Sequence, residues 1–150
     1  MDHNQYMHLA LNEAEKAGQI DEVPVGAVLV AKNGDVLASA YNQVIHENDP
    51  SAHAEMTVLR LAGKKINNYR LIGTVLYVTL EPCMMCMGAI IHARISTLVF
   101  GAKDPKWGAA GTLYNFADDS RLNHQVEVIS GICEAECASL IQNFFKNKRI

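Results

Sequence analysis

The sequence lacks any hydrophobic run long enough to cross a membrane as a helix, and it lacks an excess of basic residues. Its longest apolar runs, such as VPVGAVLVA at 23–31, are much shorter than the roughly 20 residues that a bilayer requires. The formal net charge is -3, so any nucleic-acid binding has to come from local basic groups. The first residues, MDHNQYMHLA, have neither the basic start nor the apolar core of a secretory signal. We therefore expect a cytoplasmic protein without a membrane span.

Cysteines are few, and repeats, low-complexity segments and linkers are absent. Four cysteines in a chain expected in a reducing compartment favour metal binding or catalysis over disulfide bonds. The length of 150 residues is that of one ordinary domain with one hydrophobic core. We predict a single domain over residues 1–150.

Apolar residues recur at strand and helix spacings that alternate along the chain. The predicted strands are PVGAVLVA, VLASAYN, TVLYVT, STLVFGA and VEVIS. The predicted helices are one that ends at Gly18, one through AEMTVLRLA with its cap in residues 49–51, one through CMMCMGAIIHA with Pro82 in its first turn, and one from Glu134 onward. This alternation predicts an α/β fold of three layers, α/β/α, around a five-stranded mixed sheet. The first two strands, joined by KNGD, should be antiparallel, and those separated by helices parallel.

The stretch EPCMMCM at 81–87 places Cys83 and Cys86 on one face of a predicted helix. A CxxC pair alone occurs in redox enzymes, structural zinc sites and catalytic zinc sites. Zinc held by two thiolates needs further ligands, usually histidine. Of the six histidines, His53 in SAHAE has the best context, because it begins a helix after a strand as Cys83 does. Helix starts also favour thiolates, since their free N–H groups stabilise negative charge.

Glu55 follows His53 by two residues, so at a helix start it can lie beside an ion without binding it. The set would then have three protein ligands and an open fourth position, which is typical of catalytic zinc. Glu55 would move protons during the reaction. His53 or Glu55 alone would be unremarkable, but HxE followed about 30 residues later by PCxxC is a zinc-deaminase signature.

A second cysteine pair, Cys133 and Cys137, has no such partner motif. Cys137 belongs to an apolar stripe with Leu140, Ile141 and Phe144 on the last predicted helix. We expect both thiols to be buried in the core. The stretch 103–122 has no clear period and is expected to form a long loop of the kind that is usually functional.

With HAE at 53–55 and PCMMC at 82–86, the chain resembles the cytidine deaminase-like superfamily, and within it the bacterial tRNA adenosine deaminases. The resemblance covers nearly the whole chain. The motifs that narrow the substrate class to tRNA are GAAG at 108–111, LNHQVEV at 122–128 and the tail FFKNKR. It implies hydrolytic deamination of adenosine to inosine at the wobble position of a tRNA anticodon. It also implies one Zn²⁺ per subunit and a homodimer that binds the anticodon stem-loop.

The resemblance also implies roles for particular residues. His53, Cys83 and Cys86 would hold zinc, and Glu55 would shuttle protons. Asn42, the backbone near Ala54, and Asp104 would lie at the substrate, while Phe145, Lys146 and Arg149 would approach the RNA. Trp107 departs from the family pattern, in which a smaller or polar residue is more usual, and this affects the shape of the loop.

Three other functions stay open on the same residues. A free nucleobase or nucleoside deaminase would use the same zinc chemistry on a small molecule. A noncatalytic zinc-stabilised RNA-binding module would not depend on Glu55. A CxxC thiol oxidoreductase would need Cys83 and Cys86 to be oxidisable to a disulfide.

Overall fold

The computed structural model describes residues 1–148, which form five strands and four helices. In chain order the elements are α1 (His3–Gln19), β1 (Gly26–Val30), β2 (Val36–Tyr41), α2 (Ala54–Ile66), β3 (Val75–Leu80), α3 (Met84–His92), β4 (Thr97–Ala102), β5 (Glu127–Ser130) and α4 (Glu134–Lys148). None of the helices in this part of the chain is both long and apolar enough to cross a membrane.

The strands form one mixed sheet in the order β2-β1-β3-β4-β5. β1 pairs antiparallel with β2 and with β3, whereas β3, β4 and β5 are parallel. Gly34 of the KNGD turn has a φ of 94°, a conformation that glycine adopts without steric cost. The predicted mixed sheet and its opening hairpin are confirmed.

Helices cover both faces of the sheet, because successive strand side chains point to opposite sides. On one face Val28, Tyr77 and Val99 pack in a cluster with α1 and α4. On the other face Leu29 and Val78 pack with α2 and α3. The predicted three-layer α/β/α fold is confirmed, and α2 and α3 share the face that carries the candidate site.

One close approach fixes α1 against the sheet at Gly26. A Cβ atom there would overlap the carbonyl oxygen of Ala10 and lie 2.5 Å from the amide nitrogen of Ala14. Both atoms belong to the helix backbone, so a side chain at this position can be accommodated only by moving the helix.

Gly26→Ala should therefore lower the free energy of unfolding by about 1–3 kcal/mol, the usual cost of overpacking a core. Gly88→Ala is the control, because a Cβ at Gly88 meets no atom within 4 Å and alanine is the better helix former. Urea unfolding of both variants measures the difference. Equal stability of the two variants would contradict the close packing.

Three predicted helix boundaries are wrong. α1 continues through Gly18 to Gln19, and the left-handed residue after it is Asp21, with a φ of 68°. α3 begins at Met84 with Cys83 as its N-cap, so Pro82 precedes the helix instead of lying in its first turn.

The third wrong boundary is the start of α2. His53 is its N-cap, and residues 49–51 form a separate turn. In that turn Asp49 Oδ1 accepts hydrogen bonds of 2.8 Å from both the backbone N–H and the hydroxyl of Ser51. Because the Asp49 carboxylate accepts hydrogen bonds from Ser51, it is not available to cap α2. Aspartate side chains often bond to nearby residues in a turn in this way, in competition with helix capping.

Candidate active site

Two helix starts bring the predicted metal ligands together. His53 is the N-cap of α2 and Cys83 the N-cap of α3, and neither side chain makes a capping hydrogen bond. Both are therefore free to face the gap between the helices. The Nδ1 atom of His53 lies 3.7 Å from Cys83 Sγ and 3.5 Å from Cys86 Sγ. The predicted juxtaposition is confirmed.

The donor set and its spacing fit a zinc ion. Zn–N bonds of about 2.0 Å and Zn–S bonds of about 2.3 Å in a tetrahedron separate the ligand atoms by roughly 3.5 Å. The two distances from His53 Nδ1 match this value, and the three ligand atoms all lie within 4.8 Å of one another. One imidazole and two thiolates are donors that zinc prefers, and they leave the fourth position for another ligand.

The two thiols share their protons unequally. A hydrogen bond from Cys86, together with His53, lowers the pKa of Cys83 to about 4 in spite of its burial. The pKa of Cys86 is raised, because its thiol donates to Cys83 and because it is buried. The Cys83 thiolate in turn raises the pKa of His53. A cation bound here would release the remaining thiol proton, since thiolates are the metal ligands.

Glu55 lies in the first turn of α2 and is 4% exposed. Burial raises the pKa of its carboxyl group to about 7, and the group lies within hydrogen-bonding reach of Cys86. A neighbouring cation would lower that pKa, since opposite charge favours the carboxylate. Glu55 is not among the three residues of the ligand cluster. Its position suits a group that accepts a proton and later returns it.

The cluster lies within a region that a known protein family shares. The family model of the cytidine and deoxycytidylate deaminase zinc-binding region matches residues 1–102, which include the whole His53–Cys83–Cys86 cluster. The chain belongs to this deaminase family.

Known proteins differ in how similar they are to this chain. The tRNA-specific adenosine deaminase of Haemophilus influenzae is 49% identical over 143 residues, which cover 95% of this chain and 83% of that protein. A solved structure from work on A-to-I editing by tRNA:A34 deaminases has 47% identity and a TM-score of 0.87, covering 91% of this chain and 98% of that one. A guanine deaminase from Nitrosomonas europaea has a TM-score of 0.80 but 24% identity, covering 94% and 83% respectively, and therefore shares the fold.

Asn42 of this deaminase domain is buried next to the start of α2. Its Oδ1 accepts a hydrogen bond of 2.8 Å from the backbone N–H of Ala54. That N–H group is thereby engaged and is not a free donor for a substrate. The Nδ2 group of Asn42 donates no hydrogen bond within residues 1–148, and it is not sealed from solvent. The Nδ2 amide group of Asn42 is therefore free to donate, while the substrate role of Asn42 stays a prediction.

Asp104 folds the loop that follows β4. Its Oδ1 accepts hydrogen bonds from the backbone N–H groups of Lys106 at 3.0 Å and Trp107 at 3.3 Å. These contacts give the carboxylate a structural role in this loop. A contact with substrate stays a prediction.

Sequence reasoning assigned no role to Glu81, which the structure shows to anchor this loop. Its buried carboxylate accepts hydrogen bonds from the backbone N–H groups of Asp104, Ala110 and Thr112 at 3.0 to 3.1 Å, and from the Thr112 hydroxyl. The Ala109 N–H also donates to the Pro82 carbonyl at 2.9 Å, next to Cys83. The sequence signal for this role of Glu81 is its position directly after a buried strand, where a buried carboxylate needs hydrogen-bond donors.

Glu81→Gln should loosen this loop while leaving the metal ligands in place. The NH₂ group of the new glutamine would face backbone N–H groups that now donate to the carboxylate. Each buried N–H left without an acceptor costs about 1–3 kcal/mol. Faster hydrogen exchange at the amides of Ala110 and Thr112 would show the loosening. The exposed Glu127, replaced in the same way, is the control. Unchanged protection of both amides would contradict the anchoring role.

The tail lies away from the ligand cluster. α4 packs beside α1 on the face of the sheet opposite to α2 and α3. Phe145 is 42% exposed and Lys146 is exposed, and Phe144 packs edge to face on Phe145 with ring centres 5.3 Å apart. Arg149 lies outside the described residues. The RNA-binding role of the tail stays a prediction, and the structure leaves Phe145 and Lys146 accessible for it.

Proposed function

We propose that this chain is a zinc-dependent hydrolytic deaminase that converts adenosine to inosine at the wobble position of a tRNA anticodon and releases ammonia. The observation that supports it most is the buried Glu55 carboxylate beside, but outside, the His53–Cys83–Cys86 cluster. The names of relatives at 47–49% identity over most of the chain add the substrate class.

The residues divide the work as follows. His53, Cys83 and Cys86 would hold one zinc ion, which when bound would supply an activated water for attack on the purine ring. Glu55 would take one proton from the attacking water and deliver it to the ring nitrogen, and would then carry the remaining hydroxyl proton to the amine, which leaves as ammonia. Its burial keeps the carboxylate in place and limits exchange with bulk solvent. Asn42 offers its free Nδ2 donor to the base.

An unpaired anticodon base is a suitable substrate for such a site. Sequence-specific RNA recognition targets loops whose bases can be turned out of the stack, and a deaminase has to extract its base in this way. With a net charge of -3, the contacts to phosphate have to be local. Lys103 and Lys106 are exposed in the loop that Glu81 anchors, and Phe145, Lys146 and Arg149 would add contacts from the tail.

A homodimer and a cytoplasmic location complete the proposal. Leu61, Tyr69 and Ile72 are 48%, 70% and 70% exposed on and after α2, so they offer apolar surface to a partner. A second copy covering them would bury this surface.

The second candidate is a deaminase of free nucleobases, which the fold shared with the guanine deaminase favours. Both functions can be tested together by incubating the purified protein with unmodified tRNA that carries adenosine at the wobble position, and separately with adenosine, guanine and cytidine. We expect inosine in the tRNA alone. Product from a free base or nucleoside alone would reject the tRNA substrate and keep the zinc chemistry.

A further inference from the structure

A second cluster of metal-ligating side chains lies between α1 and the start of α4, on the other face of the sheet. It consists of His8, Cys133 and Glu136, whose ligand atoms all lie within 4.8 Å of one another. The Nε2 atom of His8 is 3.5 Å from Glu136 Oε2, close to the edge of a tetrahedral zinc site. We propose that His8, Cys133 and Glu136 form a second zinc-binding site on the surface of the protein.

The imidazole of His8 is already oriented for this role. Its Nδ1 lies 2.7 Å from the backbone oxygen of Asn4. A carbonyl oxygen can only accept, so Nδ1 carries the proton and the lone pair of the neutral ring is on Nε2, which faces Glu136. Metal-ligating histidines are typically held by such a bond from the other ring nitrogen to a carbonyl or carboxylate group.

Cys133 provides the thiol that distinguishes a metal site from a simple ion pair. Both Cys133 and Cys137 were expected in the core, but only Cys137 is fully buried, at 1% exposure. Cys133 is half-buried at the surface, and its thiol donates one long hydrogen bond of 3.8 Å to Asn4 Oδ1. A salt bridge between His8 and Glu136 would not need a thiol turned toward both groups.

The donor set selects the class of cation. One imidazole nitrogen, one thiolate and one carboxylate oxygen suit zinc and similar borderline ions, whereas magnesium and calcium prefer oxygen ligands alone. The side chains of His8 and Glu136 are 55% and 60% exposed, so the fourth position would be open to water. We expect binding to be weaker and more readily reversed than at His53, Cys83 and Cys86, and to release the Cys133 thiol proton to solvent.

An ion at this site would join α1 to the start of α4. His8 lies on α1, whereas Cys133 and Glu136 lie just before and within the first turn of α4. Cross-linking these points would fix the start of the helix that carries Phe145 and Lys146. Occupancy should therefore raise the melting temperature. This inference does not depend on the proposed deaminase function.

The test measures zinc per chain in the full-length protein after equilibration with excess zinc and removal of free metal. We expect two ions in the unsubstituted protein, one in Cys133→Ser, and two in Glu134→Gln, the control on the same helical turn. In a cobalt titration of protein with its first site filled, the added ion should give a thiolate-to-cobalt absorption band. Cys133→Ser should abolish this band, and His8→Gln and Glu136→Gln should weaken binding by about tenfold or more.

Two results would overturn the inference: one ion per chain in the unsubstituted protein at saturation, or a second ion that persists in Cys133→Ser. Because the ligands are at the surface, these substitutions should not prevent folding, and circular dichroism checks this. Cys86→Ser separates the two proposals. An ion that is lost in Cys133→Ser and kept in Cys86→Ser belongs to the second site, whatever the fate of the first.

Discussion

Glu55→Gln should lower the rate of deamination by about 10²–10⁴-fold, the usual contribution of a positioned general acid–base group. The zinc content should equal that of the unsubstituted protein, because Glu55 lies outside the ligand cluster. Glutamine keeps the size of the side chain but cannot accept the proton. Burial raises the pKa of Glu55 to about 7, which suits a group that gains and loses a proton. Glutamine does not titrate and would lose this property. Single-turnover assays on the tRNA substrate, with zinc measured in the same samples, test both parts.

The matched control is Glu13→Gln, which changes another buried carboxylate. Glu13 is 9% exposed on α1, on the face of the sheet opposite to the candidate site. It should keep the full rate of deamination. If Glu55→Gln also kept that rate, the site would hold zinc without using the carboxylate, and the noncatalytic RNA-binding module would become the better interpretation.

The ligand set could be predicted from the sequence because its signals are local. His53 and Cys83 each follow a strand and precede a helix, and the spacing of Cys83 and Cys86 is one helical turn. The strands could be predicted for a similar reason, since burial on both faces leaves continuous apolar runs such as TVLYVT. Short-range patterns therefore determined both the layers of the fold and the residues at the cluster.

Features whose partners carry no local sequence signal of their own could not be predicted. The hydrogen-bond partners of Glu81 lie 23 to 31 residues further along the chain, so nothing near EPC reveals the loop that it anchors. Cys133 lies one helical turn before Cys137 and shares its apolar neighbourhood in sequence, yet it faces His8, which is far away in sequence. Asn42 was expected at the substrate. Its hydrogen bond with the Ala54 N–H depends on how the end of β2 packs beside the start of α2, which the sequence does not show.

Cys86→Ser should remove zinc from the cluster and abolish deamination. Cys86 is 0% exposed, and serine at this position would offer a poor zinc ligand and leave a polar hydroxyl in a site built for sulfur. Zinc content should fall by one ion per chain, and the melting temperature should fall with it, since an ion that binds only the folded state stabilises that state. Zinc analysis, thermal unfolding and the tRNA assay measure the three effects.

The control for Cys86→Ser is Cys137→Ser, which changes another buried thiol on the opposite face of the sheet. It should lower stability through the buried hydroxyl but keep the zinc and the activity of the folded fraction. Alkylation then tests the thiol oxidoreductase alternative. With zinc bound, Cys83 and Cys86 should resist the reagent, and after chelation Cys83 should react first, because its pKa of about 4 keeps it as a thiolate. Thiols that form a disulfide in the zinc-loaded protein would instead favour redox chemistry.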